Sequence, residues 1–157
     1  MSGDPHSIKG DLAVAGLSSE IRRVYPAAPK LAAPQHTPER ASRYFLQALD
    51  GAQRKSFDAA GAMCRKAIEA AIYGIDASLK GPLVTRIDAL SAAHKLTPDL
   101  KEWAHAIRLD GNYAVHGDDF TEEEAAQIIS FTELFLMYVF TLPGMLAERK
   151  AKREPQA

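Results

Sequence analysis

Cysteine is almost missing from this chain: Cys64 is the only one among 157 residues. One thiol excludes an intrachain disulfide framework and any zinc site built from several cysteines, and it suits a reducing intracellular compartment. A charge excess is missing as well. With 19 Lys and Arg against 20 Asp and Glu, the net charge is -1. No overall positive field draws the chain to nucleic acid or anionic lipid, so any polyanion site has to be local. No uninterrupted run approaches the roughly 20 apolar residues of a membrane span. The N-terminus lacks the basic stretch and long apolar run of a secretory signal. These absences point to a cytoplasmic protein that makes no membrane contact. There is no Gly-rich phosphate loop and no Gly-x-Ser-x-Gly elbow, and no interleaved aromatic pattern of a single-strand binder. Glu102 and His105 have half of the Glu-x-x-His pattern of di-iron helical bundles, but the second half is absent. No metal and no cofactor is expected.

Alanine is plentiful, 27 residues in all, and it costs less to place in a helix than any other residue. Prolines crowd the first quarter and are absent from residues 39–81 and 99–142, which leaves long stretches free to be helical. The fold class is therefore all-α, a bundle of four to five helices behind an extended N-terminal arm. Residues 1–36 form that arm, 37–147 the helical domain and 148–157 a charged flexible tail. Residues 1–10 have no periodic pattern and stand outside the fold argument.

The first helix is expected to start at Thr37-Pro38-Glu39, a capping hydroxyl, a proline at the first helical position and an acid near the positive helix end. The second spans about Ser56 to Leu79, with Phe57, Ala60, Cys64, Ala67, Ala71 and Ile75 on one stripe. Cys64 on that stripe reads as a small buried hydrophobe. A third runs from Leu83 to about Leu96, and Thr97-Pro98-Asp99 starts a fourth that turns Leu100, Trp103, Ala104 and Ile107 inward. The last opens at Thr121, in capping-box spacing with Glu124, and is expected to stop near Leu142, before Pro143-Gly144. It is apolar on nearly every side, from Ile128 to Leu142. Such a helix has to be buried all round, either at the centre of the monomer or in a homodimer interface.

Ile107-Arg108-Leu109-Asp110-Gly111-Asn112-Tyr113-Ala114-Val115-His116-Gly117 carries the candidate chemistry. Arg108, Asn112 and His116 recur every four residues, so on a helix they share one stripe. A fixed cation, an amide and an imidazole that titrates near neutrality can hold and cleave a phosphodiester. Tyr113 can stack on a base, and Arg65 and Glu69, four apart on the second helix, either form an intrahelical ion pair or reach the same cleft. A structural role fits the same residues: an ion pair for Arg108, a helix cap for Asn112, a backbone hydrogen bond for His116. Arg40, Arg43, Arg54, Lys55, Arg65 and Lys66 make the first two helices basic, whereas Asp110, Asp118, Asp119 and Glu122 to Glu124 surround the motif with acid.

At this string the sequence resembles the HEPN superfamily of helical nucleotide-binding and ribonuclease domains. More narrowly it is similar to the branch known as domain-of-unknown-function family 4145, which also occurs attached to bacterial restriction subunits. The likeness covers about residues 24–142. It includes Val24-Tyr25-Pro26, Cys64-Arg65-Lys66-Ala67-Ile68-Glu69, Ile107-Arg108, Gly111-Asn112 and His116. It implies a homodimer in which two motifs face one cleft, with His116 as general acid or base, Arg108 on phosphate and Asn112 orienting either. The activity so implied is metal-independent RNA cleavage in a toxin or defence system. Seven residues separate Arg108 from His116, a wider spacing than active members carry. The competing expectation is a non-catalytic dimerisation or adaptor domain, a protein partner of a restriction or other defence system.

Overall fold

The computed structural model describes residues 31–107, 109 and 119–154. Residues 1–30, most of the expected arm, lie outside the described residues, as do Arg108, Asn112, Tyr113 and His116. What is described is helical with no strand, as the alanine content and proline spacing require. The helices are α1 (Glu39–Gln53), α2 (Phe57–Ile75), α3 (Leu83–Ala92), α4 (Pro98–Ala106), α5 (Glu122–Leu136) and α6 (Leu142–Arg153). A five-residue π-turn, Met137–Thr141, joins the last two.

Helices α1 and α2 form a tight hairpin, packed along their lengths. Their connection closes α1 with a Schellman motif: Lys55 N–H bonds the Ala52 carbonyl at 3.0 Å and Ser56 N–H bonds that of Gly51 at 2.8 Å. Lys55 takes the left-handed position, φ 60°, which usually falls to glycine. The end of α3 repeats the device, with His94 at φ 58° and bonds from His94 N–H to Ser91 (3.0 Å) and Lys95 N–H to Leu90 (2.9 Å). That closure stops α3 at Ala92, short of the expected Leu96. Helix α2 stops at Ile75, short of Leu79, because the Asp76 carboxylate accepts bonds from Ser78 N–H (2.9 Å) and Ser78 Oγ (2.5 Å). An Asx turn of this kind competes with the next helical bonds.

Two of the three expected caps form. Thr97 Oγ1 accepts from Leu100 N–H at 3.1 Å, and Thr121 with Glu124 completes a capping box at 3.1 and 2.8 Å. Thr37 does not cap α1. The chain turns at His36, φ 66°, Pro38 occupies the boundary position, and the Thr37 hydroxyl is buried with no hydrogen-bond partner among the described residues.

The helix at the centre of the monomer is α2, which contacts both α1 and α5. Its buried residues are mostly small: Ala60, Gly61, Cys64, Ala67 and Ala71, with Ile68 and Ile72. Small side chains let two neighbours approach closely on different sides. The buried stripe is wider than the one read from the sequence, whose outermost members, Phe57 and Ile75, are only half-buried. Helix α5 packs against it through Ile128, Phe131, Phe135 and Leu136, all 2% exposed or less. Phe131 meets Trp103 of α4 edge-on at 5.4 Å and Phe135 at 6.0 Å.

The last helix departs from expectation in two ways. It is not the helix buried at the centre of the monomer, since Leu134, Met137, Leu142, Met145 and Leu146 are 41–53% exposed. Nor does it stop at Pro143. The π-turn shifts the bonding so that Leu142 N–H reaches the Met137 carbonyl, and Pro143 then sits in the first turn of a new α register, where its missing N–H does no harm. The helical run extends without interruption from Glu122 to Arg153, 32 residues, through the first six positions of the segment assigned to the tail. One 18-residue window has a mean hydropathy of 1.6, long and apolar enough to cross a membrane, with 33% of it buried in the bundle. That property is hidden when Pro143-Gly144 is read as an end.

Ahead of α1, residues 31–38 lie on the long helix. Thr141 Oγ1 donates to the Gln35 carbonyl at 2.6 Å, the His36 ring lies directly over Gly144, and His36 Nε2 pairs with Glu148 at 3.1 Å.

Candidate functional site

Of the five residues singled out in the sequence, Arg65 is within the described structure; Arg108, Asn112, Tyr113 and His116 are not. Leu109, directly after Arg108, and Phe120, beyond the segment, are described, and both lie near Arg65. On one side Leu109 is fully buried and shares with Arg65 a cleft of about 460 Å³ that Glu69, Pro82, Leu83 and Arg86 also line. On the other side the Arg65 guanidinium lies 5.1 Å from the centre of the Phe120 ring, a cation–π distance. The tip of the Phe120 ring in turn abuts Gly61, where an added Cβ would occupy the space of the ring, and its N–H donates to the Asp58 carboxylate. Helix α2 therefore holds Phe120, on the C-terminal side of the motif-bearing segment, through Asp58, Gly61 and Arg65.

Glu69, one turn after Arg65, makes its salt bridge between helices, to Arg86 of α3 at 3.6 Å. Arg86 is a largely buried cation, its side chain 19% exposed. Its Nε is enclosed and has no hydrogen-bond partner among the described residues. A guanidinium has five donors in a fixed fork, so a single long ion pair leaves it able to bind another anion.

Glu69 and Arg86 also line a second cleft, of about 350 Å³, with Arg40, Tyr44, Lys66 and Tyr73. Around the Tyr44 ring stand Arg43 at 5.5 Å, Lys66 at 5.8 Å and Arg40 at 5.9 Å. Hydrogen bonding from Arg40, chiefly, with the charges of Arg40 and Lys66 and a bond from Arg43, holds the Tyr44 phenol below its usual pKa. The sequence shows these helices as basic, but their convergence on one ring needs the register of the hairpin. Arg86, alone on α3, gave no sequence signal. Phe120 is visible in hindsight as an apolar residue directly before a capping box, a position that commonly packs back on the fold.

Other ionisable groups are structural. Cys64 is buried, its thiol pushed up to about 12 by desolvation against a smaller opposing bond with Thr132. His105 pairs with Asp88 at 2.7 Å on the surface between α3 and α4. Among the described residues no three His, Cys, Asp or Glu side chains gather as a metal site would require.

No curated protein and no solved structure matches this sequence. A family model described as "Domain of unknown function (DUF4145)" matches residues 47–153. That span starts within α1, includes Arg65, Leu109 and Phe120 and ends at the close of α6, so the chain belongs to the DUF4145 family.

Proposed function

We propose that the chain is a HEPN-like domain that binds RNA and cleaves it without a metal ion. His116 acts as general acid or base, Arg108 binds the phosphate, Asn112 orients either group, and Tyr113 stacks on a base. Arg65 adds a second phosphate contact. The observation that carries this reading is the placing of Leu109 and Phe120 about Arg65, beside a cleft that also holds Arg86, whose Nε has no hydrogen-bond partner among the described residues. This is the local cationic site that a chain of net charge -1 needs in order to hold a polyanion.

In the reaction, a base takes the proton of the ribose 2'-hydroxyl, whose oxygen attacks phosphorus. The 5'-oxygen leaves with a proton from an acid, and the cations stabilise the charge that builds on the phosphoryl oxygens. One histidine per chain provides both proton steps when two chains meet. A homodimer is part of the proposal, and the exposed apolar face of the long helix supports it. The setting proposed is cytoplasmic, in a toxin or defence system.

The test is RNA cleavage in EDTA by the wild-type chain and by His116→Ala, matched for folding and oligomeric state. Cleavage lost in the variant is the expected result. Wild-type protein inert on both structured and unstructured RNA overturns it. A second reading, a non-catalytic dimerisation or adaptor domain accessory to restriction or other defence proteins, is favoured by the exposed acids Asp119, Glu122 and Glu123 beside the motif, which repel phosphate. Inert RNA assays from a stable dimer are its expected signature.

A further inference from the structure

We propose that the face of the α1–α2 hairpin around Tyr44 is a second site, which binds the phosphate of a nucleotide and lays its base on Tyr73. Three cations from two helices crowd one ring there, Arg40 and Arg43 from α1 and Lys66 from α2, all within 5.9 Å of its centre. Like charges gathered around one ring repel one another, and an anion among them relieves that repulsion. The cleft has a single carboxylate, Glu69, and that one is engaged with Arg86. Glu39 and Asp50 lie with Arg43 along a separate groove of α1. Arg40, Lys66 and Arg86 against that one carboxylate leave an excess of two positive charges, suited to a phosphate monoester, which has close to two negative charges near neutral pH and three acceptor oxygens. Arg86 adds the third cation to the lining of the cleft.

The aromatic partner is on the same cleft. Tyr73 is 62% exposed, a large ring left in water one and two turns along α2 from Glu69 and Lys66. An aromatic face beside cations is how sequence-tolerant nucleic-acid sites hold a base. A cleft of about 350 Å³ lies within the range of small-ligand sites, roughly 300–1,000 Å³. Arg40, Lys66 and Tyr73 belong neither to the Arg108, Asn112 and His116 motif nor to the cleft beside Leu109, so the site stands whether or not that motif cleaves RNA.

Calorimetric titration of the full chain with AMP, adenosine and inorganic phosphate tests it. AMP is expected to bind more tightly than either fragment, and more weakly as salt rises. Arg40→Gln with Lys66→Gln should weaken AMP at least tenfold, and Tyr73→Ala should weaken AMP while leaving inorganic phosphate unchanged. The control is Arg54→Gln with Lys55→Gln, which removes the same charge from the hairpin turn and should leave AMP binding intact. Comparing AMP with a short oligoribonucleotide, phosphorylated or not at its 5'-end, distinguishes a free nucleotide from a strand terminus as the source. No AMP binding together with indifference to the 5'-phosphate overturns the proposal, as does an equal loss in the control. Retained AMP binding in His116→Ala, or in a chain that cleaves no RNA, keeps this site and counts only against the catalytic reading.

Discussion

Between Glu122 and Leu136 the long helix buries Ala125, Ile128, Phe131, Phe135 and Leu136 against the bundle, whereas beyond the π-turn Leu142, Met145 and Leu146 are about half exposed. Both halves are rich in large apolar residues, and the difference is what lies opposite them. Helix α2 and Trp103 cover the first half. Residues 31–38 cross the second on one side only, near Thr141, Gly144 and Glu148. The π-turn also sets the direction of the uncovered face. At about 100° per residue a continuous α-helix would spread Leu134, Met137, Leu142, Met145 and Leu146 over roughly 180°; one extra residue in the turn gathers them into roughly 100°. A stripe that narrow is a helix-pairing seam, the feature the proposed homodimer needs.

Substitutions separate the two halves most clearly where they cut most. Phe131→Ala removes a fully buried ring with two aromatic partners and should cost about 3–5 kcal/mol, read as a large fall in the urea midpoint. Gly61→Ala sets a methyl where the Phe120 ring lies and should cost about 1–3 kcal/mol by overpacking, while releasing the motif's C-terminal flank, seen as faster amide exchange around Phe120. Thr121→Ala removes the capping box of α5 at about 1 kcal/mol. Met145→Glu with Leu146→Glu, in the second half, should change monomer stability by no more than about 0.5 kcal/mol and yet dissociate the proposed homodimer in sedimentation. A cooperative loss of melting temperature in that last variant would show the two halves to be one core.

The Cys64 thiol provides a pH test of the buried side. Its acid form is favoured in the folded protein, about 12 against a reference of 9.0, so between those values the unfolded chain binds fewer protons than the folded one. Stability is therefore unaffected by this group below pH 9 and falls as pH rises from 9 toward 12. Cys64→Ala should flatten that decline in alkaline urea titrations, and the native thiol should resist alkylation at pH 8 until the protein is unfolded.

The helices that could be read from the sequence are those with local signals. Thr97-Pro98-Asp99 and Thr121 to Glu124 cap as written because a cap is made by residues within one turn of each other. The ends of α1 and α3 were harder to see, since Lys55 and His94 take a left-handed position that glycine usually advertises. Pro143 misled for a related reason: a π-turn upstream gave it a harmless place. Arg65 was identifiable on the face toward the motif, whereas Arg86 was not, because its burial and its pairing with Glu69 depend on where α3 crosses α2.

By itself the sequence determined the all-α class, two of the three caps, the burial of Cys64 and membership of the family, all of which follow from neighbours along the chain or from composition. Only the tertiary structure decided which helix is central, which half of the last helix remains open to a partner, and that three scattered cations close on Tyr44. The reason is physical: hydrogen bonds and helix propensity act over a few residues, but packing and the convergence of charge depend on the register between helices, which no local pattern specifies.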